Sequence, residues 1–186
     1  MIHLRPERPE DAAAIREVNR LAFEGDAEAG IVDAIRAAGA AVLSMVAVER
    51  PEGEGAEPDE TASGGAGRVV AHILYTWVTV TAEDGGEISL LGLAPVAVLP
   101  SRQNQGVGTM LVEASLEHLR GEGHSGVVVV GHPDYYTRFG FLPGSRWGLR
   151  WEVEAPDGVF MAAELSPGSL AGVHGVARFR PEFGGV

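Results

Sequence analysis

The sequence predicts an α/β (α+β) fold, and three observations carry that prediction. Residues 88–130 read as strand, helix and strand, about the size of a β–α–β unit. Two branched apolar runs, 42–48 and 69–80, flank a segment with almost no large apolar residue and therefore predict an antiparallel pair. Two amphipathic helical patterns precede them. The 186 residues suit one domain, 1–186, with a flexible loop at about 51–67 and C-terminal strands and an arm at about 146–186.

Each element follows from its local pattern. Ile2 to Arg5 opens a sheet. Pro9-Glu10-Asp11 then starts a helix whose apolar side is Ala14, Ile15, Val18, Leu21 and Ala22; proline and acids suit a first turn. A second helix carries Ile31, Ile35 and Ala38, with Gly39 as its stop. In the strand 69–80, Ile73, Tyr75 and Trp77 alternate with Leu74, Thr76 and Val78. Asp84-Gly85-Gly86 is a turn, and a strand from Ile88 to Val98 ends at Pro100. Gly106 to Arg120 reads as a helix with the stripe Val107, Met110, Leu111 and Ala114, widened by Val112, Leu116 and Leu119, so it lies against a sheet. Val127 to Val130 is a short buried strand. A short helix covers Asp134 to Phe139, and strands follow at 149–153 and 159–165 before an extended end.

Composition removes several chemistries. Cysteine is absent, which excludes disulfides, thiolate metal sites and a cysteine nucleophile. All 14 basic residues are arginine, so lysine-dependent P-loop and Schiff-base enzymes are excluded too. The net charge of -12, with no basic run, argues against nucleic acid as a partner. No apolar run reaches the roughly 18 residues of a membrane span, and the start breaks into charge too soon for a signal peptide. The expectation is a cytoplasmic protein with no membrane partner.

The informative stretch is Val96-Ala97-Val98-Leu99-Pro100-Ser101-Arg102-Gln103-Asn104-Gln105-Gly106-Val107-Gly108-Thr109. A strand ends, a polar glycine-containing loop follows, and a helix begins. A helix start offers unpaired N–H groups and the positive end of a dipole, and glycines let an anion approach the backbone. The fitting ligand is a phosphate or pyrophosphate, with Arg102 able to add a charge-assisted contact. The dinucleotide fingerprint fails because Leu111 stands at its third glycine, and the P-loop fails for lack of lysine. What survives is Gln-x-x-Gly-x-Gly, filled by Gln103, Gly106 and Gly108.

That loop resembles the acetyl-CoA loop of GNAT N-acetyltransferases. The segment Gly131-His132-Pro133-Asp134-Tyr135-Tyr136-Thr137-Arg138-Phe139-Gly140-Phe141 strengthens the likeness. There Tyr136 precedes the pair Gly140-Phe141 by four residues, and the segment is similar to one in a bacterial subgroup of predicted acetyltransferases. The resemblance implies a central mixed, mostly antiparallel sheet with a splayed parallel strand pair, flanked by helices. It implies acetyl-CoA as cosubstrate, no metal, and a small-molecule or peptide amine as acceptor. It places Val96, Ala97 and Val98 along the pantetheine arm. It places Gln103, Asn104, Gln105, Gly106, Val107, Gly108 and Thr109 at the pyrophosphate, and it makes Tyr136 the catalytic proton donor to the leaving thiolate. Many members carry an asparagine about seven residues before this tyrosine; here Val129 stands there. Homodimers are common in the superfamily, so a homodimer stays open beside a monomer.

The base that deprotonates the amine has three candidates: Glu87, His132 or water. Buried tyrosines often only satisfy their hydroxyl, so Tyr136 packing beneath the sheet with Tyr135 nearer the ligand is the competing structural reading. His72 within an apolar strand, and Trp77, Trp147 and Trp151, read as structural. Two other functions compete: a CoA-binding or regulatory module of the same fold with little catalysis, and an unrelated α/β nucleotide-binding protein.

Overall fold

In a computed structural model, residues 1–50 and 67–184 are described, and the expected loop at 51–67 lies outside them apart from Gly67. The helices are α1 (Ala12–Ala22), α2 (Ala27–Ala37), α3 (Val107–Gly121) and α4 (Pro133–Tyr136). The strands are β1 (Ile2–Pro6), β2 (Ala41–Glu49), β3 (Arg68–Thr81), β4 (Glu87–Val98), β5 (Gly126–Val130), β6 (Leu142–Pro143), β7 (Leu149–Trp151), β8 (Phe160–Glu164) and β9 (Gly175–Arg178).

They form one mixed sheet in the order β1-β2-β3-β4-β5-β8-β6. The β4–β5 pair is parallel, as is the short β7–β9 pair; the other pairs are antiparallel. The parallel pair is joined by α3, as the pattern over 88–130 predicts. β3 outruns β2, whose pairing ends at Thr76, and β9 covers the bare edge at Thr79–Thr81. An open strand edge is an aggregation hazard, and this cover blunts it. The C-terminal end, expected to be merely extended, is thereby a strand of the main sheet.

The core lies on both faces. On β5, Val127 and Val129 enter the larger cluster with α1, α2 and α3, while Val128 enters a second with Val78, Leu90 and Leu149. All three valines are at most 1% exposed, each worth about 1.5–3 kcal/mol of burial. The α3 stripe differs from expectation. Val107, Leu111 and Ser115 form the inward row, and Met110 is exposed. Ser115 takes the inward place because its hydroxyl meets the buried Tyr75 hydroxyl at 2.7 Å. Trp77 is also exposed, at 47%, set edge-on to His124 beyond the cover of α3.

Candidate active site

The site begins where β4 leaves β5. Their pairing runs only from Leu91↔Val127 to Leu93↔Val129. Opposite, β4 pairs with β3 through Tyr75↔Leu93 and resumes at Ile73↔Val96, so Ala94 and Pro95 together face Leu74 alone. This is a bulge, which bends a strand and ends regular pairing. Beyond Leu93, β4 therefore has one edge free of β5.

A cavity of about 910 Å³ opens along that edge. Of the positions expected along the pantetheine arm, Val96 and Val98 line it, whereas Ala97 is fully buried on the core side. Strand alternation accounts for that split. Leu93, Ala94 and Pro95 line it as well, which the sequence reading did not foresee. Val129 is buried within β5 and lies off the cavity lining.

At the far end of β4 the chain turns through 99–106 into α3. Gln103, Asn104, Gly106, Val107, Gly108 and Thr109 line the cavity; Gln105 does not. Asn104 and Gly106 take positive φ, 59° and 80°, and Gly106 is the residue that caps α3. Glycine adopts that conformation without strain. The first backbone bond of the helix joins the Met110 N–H to the Gly106 carbonyl, so the N–H groups of Val107, Gly108 and Thr109 precede the ladder. Gly108 sits tightly: a Cβ there would stand 3.0 Å from the Tyr135 hydroxyl and 3.2 Å from Val98.

The glutamine side chains brace this loop. Gln103 Nε2 donates to the Val98 carbonyl at 3.1 Å, and Gln105 Nε2 to that of Ser101 at 3.0 Å. Arg102 lines the cavity, but its guanidinium clasps Glu49 with contacts of 2.7 and 2.9 Å. Arg138, which the sequence reading passed over, also lines the cavity, with its guanidinium 5.1 Å from the Tyr135 ring centre.

Tyr135 and Tyr136 complete the wall. The segment folds tightly because Pro133 starts α4 and Gly140, at φ 88°, reverses the chain. Phe141 then returns under Tyr136, ring centres 5.6 Å apart, which explains why a Gly-Phe pair follows the tyrosine by four residues. Gly131 lets the ring lie over the end of β5, since a Cβ would meet Tyr136 Cε2 at 2.6 Å. Burial pushes the Tyr136 hydroxyl above its ordinary pKa, with Tyr135 adding to the effect; no hydrogen bond opposes it. The hydroxyl thus stays protonated at neutral pH. Tyr135 is raised too, by burial, but lies beside Arg138 and Thr109.

Of the two named bases, His132 lines the cavity and Glu87 does not. Glu87 opens β4 opposite Thr81, six residues before Leu93, and is exposed. His72 is fully buried in a polar cluster: Nδ1 meets Asn19 Nδ2 at 3.1 Å and Nε2 meets Ser44 Oγ at 3.0 Å. Ser44 also donates to Glu7, and Arg36 binds Glu7 at 2.6 Å. Burial, aided by the Arg36 charge, pushes the imidazole down to about 3. His72 is a structural tie between α1 and the sheet.

The other end of the cavity lies at the connection of α1 to α2 and at the C-terminal turn Pro181–Phe183. Phe23, Glu28, Ile31 and Phe183 line it. Phe179 stacks edge-on to Phe183, centres 5.9 Å apart, and its ring lies where a Cβ on Gly92 would stand, 2.8 Å away. From Gly92 to Val98 is six residues of strand, roughly 20 Å, so this end is well separated from the loop at 103–109. No local sequence signal marks it, because its parts come from distant segments. Among the described residues no cluster of His, Asp or Glu is arranged to hold a metal ion, and no helix is long and apolar enough to cross a membrane.

Comparison with known proteins follows the same geometry. A family model described as an acetyltransferase (GNAT) domain matches residues 4–144. The uncharacterized N-acetyltransferase YhbS of Escherichia coli K12 is 32% identical over 180 residues, 97% of each chain. The crystal structure of YhbS from Escherichia coli in complex with CoA superposes with a TM-score of 0.84 at 31% identity, covering 98% of this chain and 92% of that one. A GNAT family acetyltransferase from Brucella melitensis, solved with acetyl-CoA, gives a TM-score of 0.72 at 35% identity, covering 98% of both chains.

Proposed function

Because the chain belongs to the GNAT acetyltransferase family, we propose that it moves an acetyl group from acetyl-CoA to a primary amine by direct attack on the thioester. The observation that carries this reading is that the free N–H groups at the start of α3, the unpaired edge of β4 and Tyr136 all open onto one cavity.

In this reading the N–H groups of Val107, Gly108 and Thr109 bind the pyrophosphate, with Arg138 adding positive charge. Gln103 and Gln105 act through the loop, holding its shape by their bonds to Val98 and Ser101. Val96 and Val98 offer backbone to the pantetheine arm. The amine nitrogen attacks the carbonyl carbon, and charge grows on the carbonyl oxygen beside the bulge at Ala94. A backbone N–H aimed there contributes about 3 kcal/mol to the transition state. Pro95 has no N–H to give. The C–S bond then breaks, its electron pair stays on sulfur, and the Tyr136 hydroxyl supplies the proton. The phenolate recovers a proton from the attacking nitrogen. The ammonium form of the acceptor loses one further proton before attack, to His132 or to water. The same reading treats residues 1–186 as one domain, supported by β9, which binds the C-terminal arm to β3.

Titration calorimetry with acetyl-CoA, CoA, ATP and NAD tests the cosubstrate. Acetyl-CoA and CoA are expected to bind, and ATP and NAD to give no heat. Preference for ATP or NAD overturns the assignment. Thiol release from acetyl-CoA in the presence of primary amines tests the reaction, and saturable binding with no release over any amine would reduce the protein to a CoA-binding module.

A further inference from the structure

The end of the cavity remote from the phosphate loop has its own chemistry. Its walls are Phe23, Ile31 and Phe183, with Leu93 and Ala94 as floor. One charged group lines it, Glu28, which shares a face of α2 with Ile31 three residues on. The neighbouring carboxylates are taken: Asp26 is paired with Arg16, and Asp33 with Arg16 and Arg36. Glu28 has no cationic partner among the described residues. Its place in the first turn of α2 suits the helix dipole, but that alone does not require it to line the cavity. Charge along the cavity is therefore divided: Arg138 lines the phosphate side, where Arg102 is held by Glu49, and Glu28 lines the remote side.

We propose that Glu28 binds the ammonium group of the acceptor and that the acceptor is an arylalkylamine, a single primary amine on a flat apolar body held between Phe23 and Phe183. The inference rests on the acetyl-transfer reading above. One carboxylate among aromatic and aliphatic walls fits one cation. A polyamine would leave its further charges unpaired against apolar surface, which is costly. A peptide lysine would place polar backbone against the same walls. Glu28 is here a specificity residue. It draws the amine into the cavity, and the acceptor gives up its proton elsewhere, to His132 or to water.

The test uses 2-phenylethylamine, spermidine and Nα-acetyl-lysine as acceptors, with the full chain and its Glu28→Gln variant. The wild-type protein is expected to favour 2-phenylethylamine by at least about tenfold in kcat/KM, since its apolar body fills walls against which the other acceptors would set charged or polar groups. Glu28→Gln should raise the KM for that amine about tenfold while its kcat changes less than twofold. The acetyl-CoA dissociation constant should not move. Glutamine keeps the shape of the site and removes the charge, and a melting temperature within a few degrees of wild type establishes folding. A preference for spermidine or Nα-acetyl-lysine, or an unchanged KM in Glu28→Gln, overturns this inference while leaving acetyl transfer standing. So does acetyl-CoA binding with no turnover of 2-phenylethylamine. Loss of acetyl-CoA binding in the wild-type protein would instead defeat the acetyl-transfer reading itself.

Discussion

The two ends of the cavity are built by different means. The end proposed for phosphate comes mainly from one stretch, 98–109, joined by Tyr135 and Arg138, and relies on backbone: free N–H groups, two positive φ angles and a glycine close against Tyr135 and Val98. The end proposed for the acceptor gathers side chains from residues 23–31, from 93–94 and from Phe183, brought together only by the sheet. Backbone recognition depends on a local conformation that few residue types allow, so it leaves a pattern. Side-chain recognition depends on distant neighbours and leaves none. Substitutions at the first end should therefore act on cosubstrate affinity, and those at the second on acceptor use.

The sharpest way to break this contrast is Gly108→Asp. The new side chain meets Tyr135 and Val98 and sets a carboxylate among N–H groups proposed to hold phosphate. Acetyl-CoA affinity should fall at least about 100-fold, near 3 kcal/mol, with an unchanged far-ultraviolet dichroism spectrum. A folded variant that binds normally removes the pyrophosphate assignment.

Tyr136→Phe separates chemistry from binding. The kcat should drop about 10- to 100-fold while acetyl-CoA affinity stays within about twofold. Tyr75→Phe is its counterpart. Burial raises both hydroxyls above their ordinary range, but that of Tyr75 is matched to Ser115 inside the core, away from the cavity lining. Its loss should cost about 1 kcal/mol of stability and leave kcat alone. Equal kinetic losses in both variants would mean that Tyr136 only packs.

This contrast also accounts for what the sequence disclosed. The order of elements is legible because each has its own period and stops, and the positions of Gly106 and Gly108 because a positive φ favours glycine at one and a tight space favours it at the other. Of the open candidates for the base, Glu87 lies off the cavity lining, since proximity in sequence to β4 says nothing about which end of that strand meets the cavity. Arg102 reads from sequence as able to meet the ligand's charge, but Glu49, from β2, holds it. Met110 was assigned to the helix stripe because hydropathy alone favours it over Ser115, which enters the core only through Tyr75. Glu28 and Phe183 had no pattern to betray them.

The helices that carry the proposed acceptor wall also stand on a buried polar cluster, which predicts a pH dependence. Asn19 of α1 is fastened to His72, and Arg36 of α2 to Glu7. His72 is neutral when folded, its pKa held at about 3 rather than 6.5. The unfolded chain binds a proton below about 6.5 and the folded chain does not. Stability is therefore full above about 6.5 and declines toward 3, by at most about 1.4 kcal/mol per pH unit from this group. In urea unfolding between pH 7 and pH 5, His72→Gln should show a shallower decline than wild type by that slope. Parallel profiles would mean that His72 is protonated in the folded protein.

The smallest effect is expected at Phe183→Ala, and it sharpens the contrast most narrowly. Phe183 is partly buried, packed on Phe179, and the turn that carries it rests on α2. Removing the ring forfeits an edge-to-face pair worth about 1 kcal/mol and opens one wall of the acceptor end. The backbone of β4 and the loop at 103–109 do not depend on it. The KM for an arylalkylamine should rise about fivefold, with acetyl-CoA affinity and the Gly108-dependent binding unchanged. If acetyl-CoA affinity falls in step with the KM instead, the two ends form one continuous surface, and the C-terminal turn belongs to the cosubstrate as much as to the acceptor.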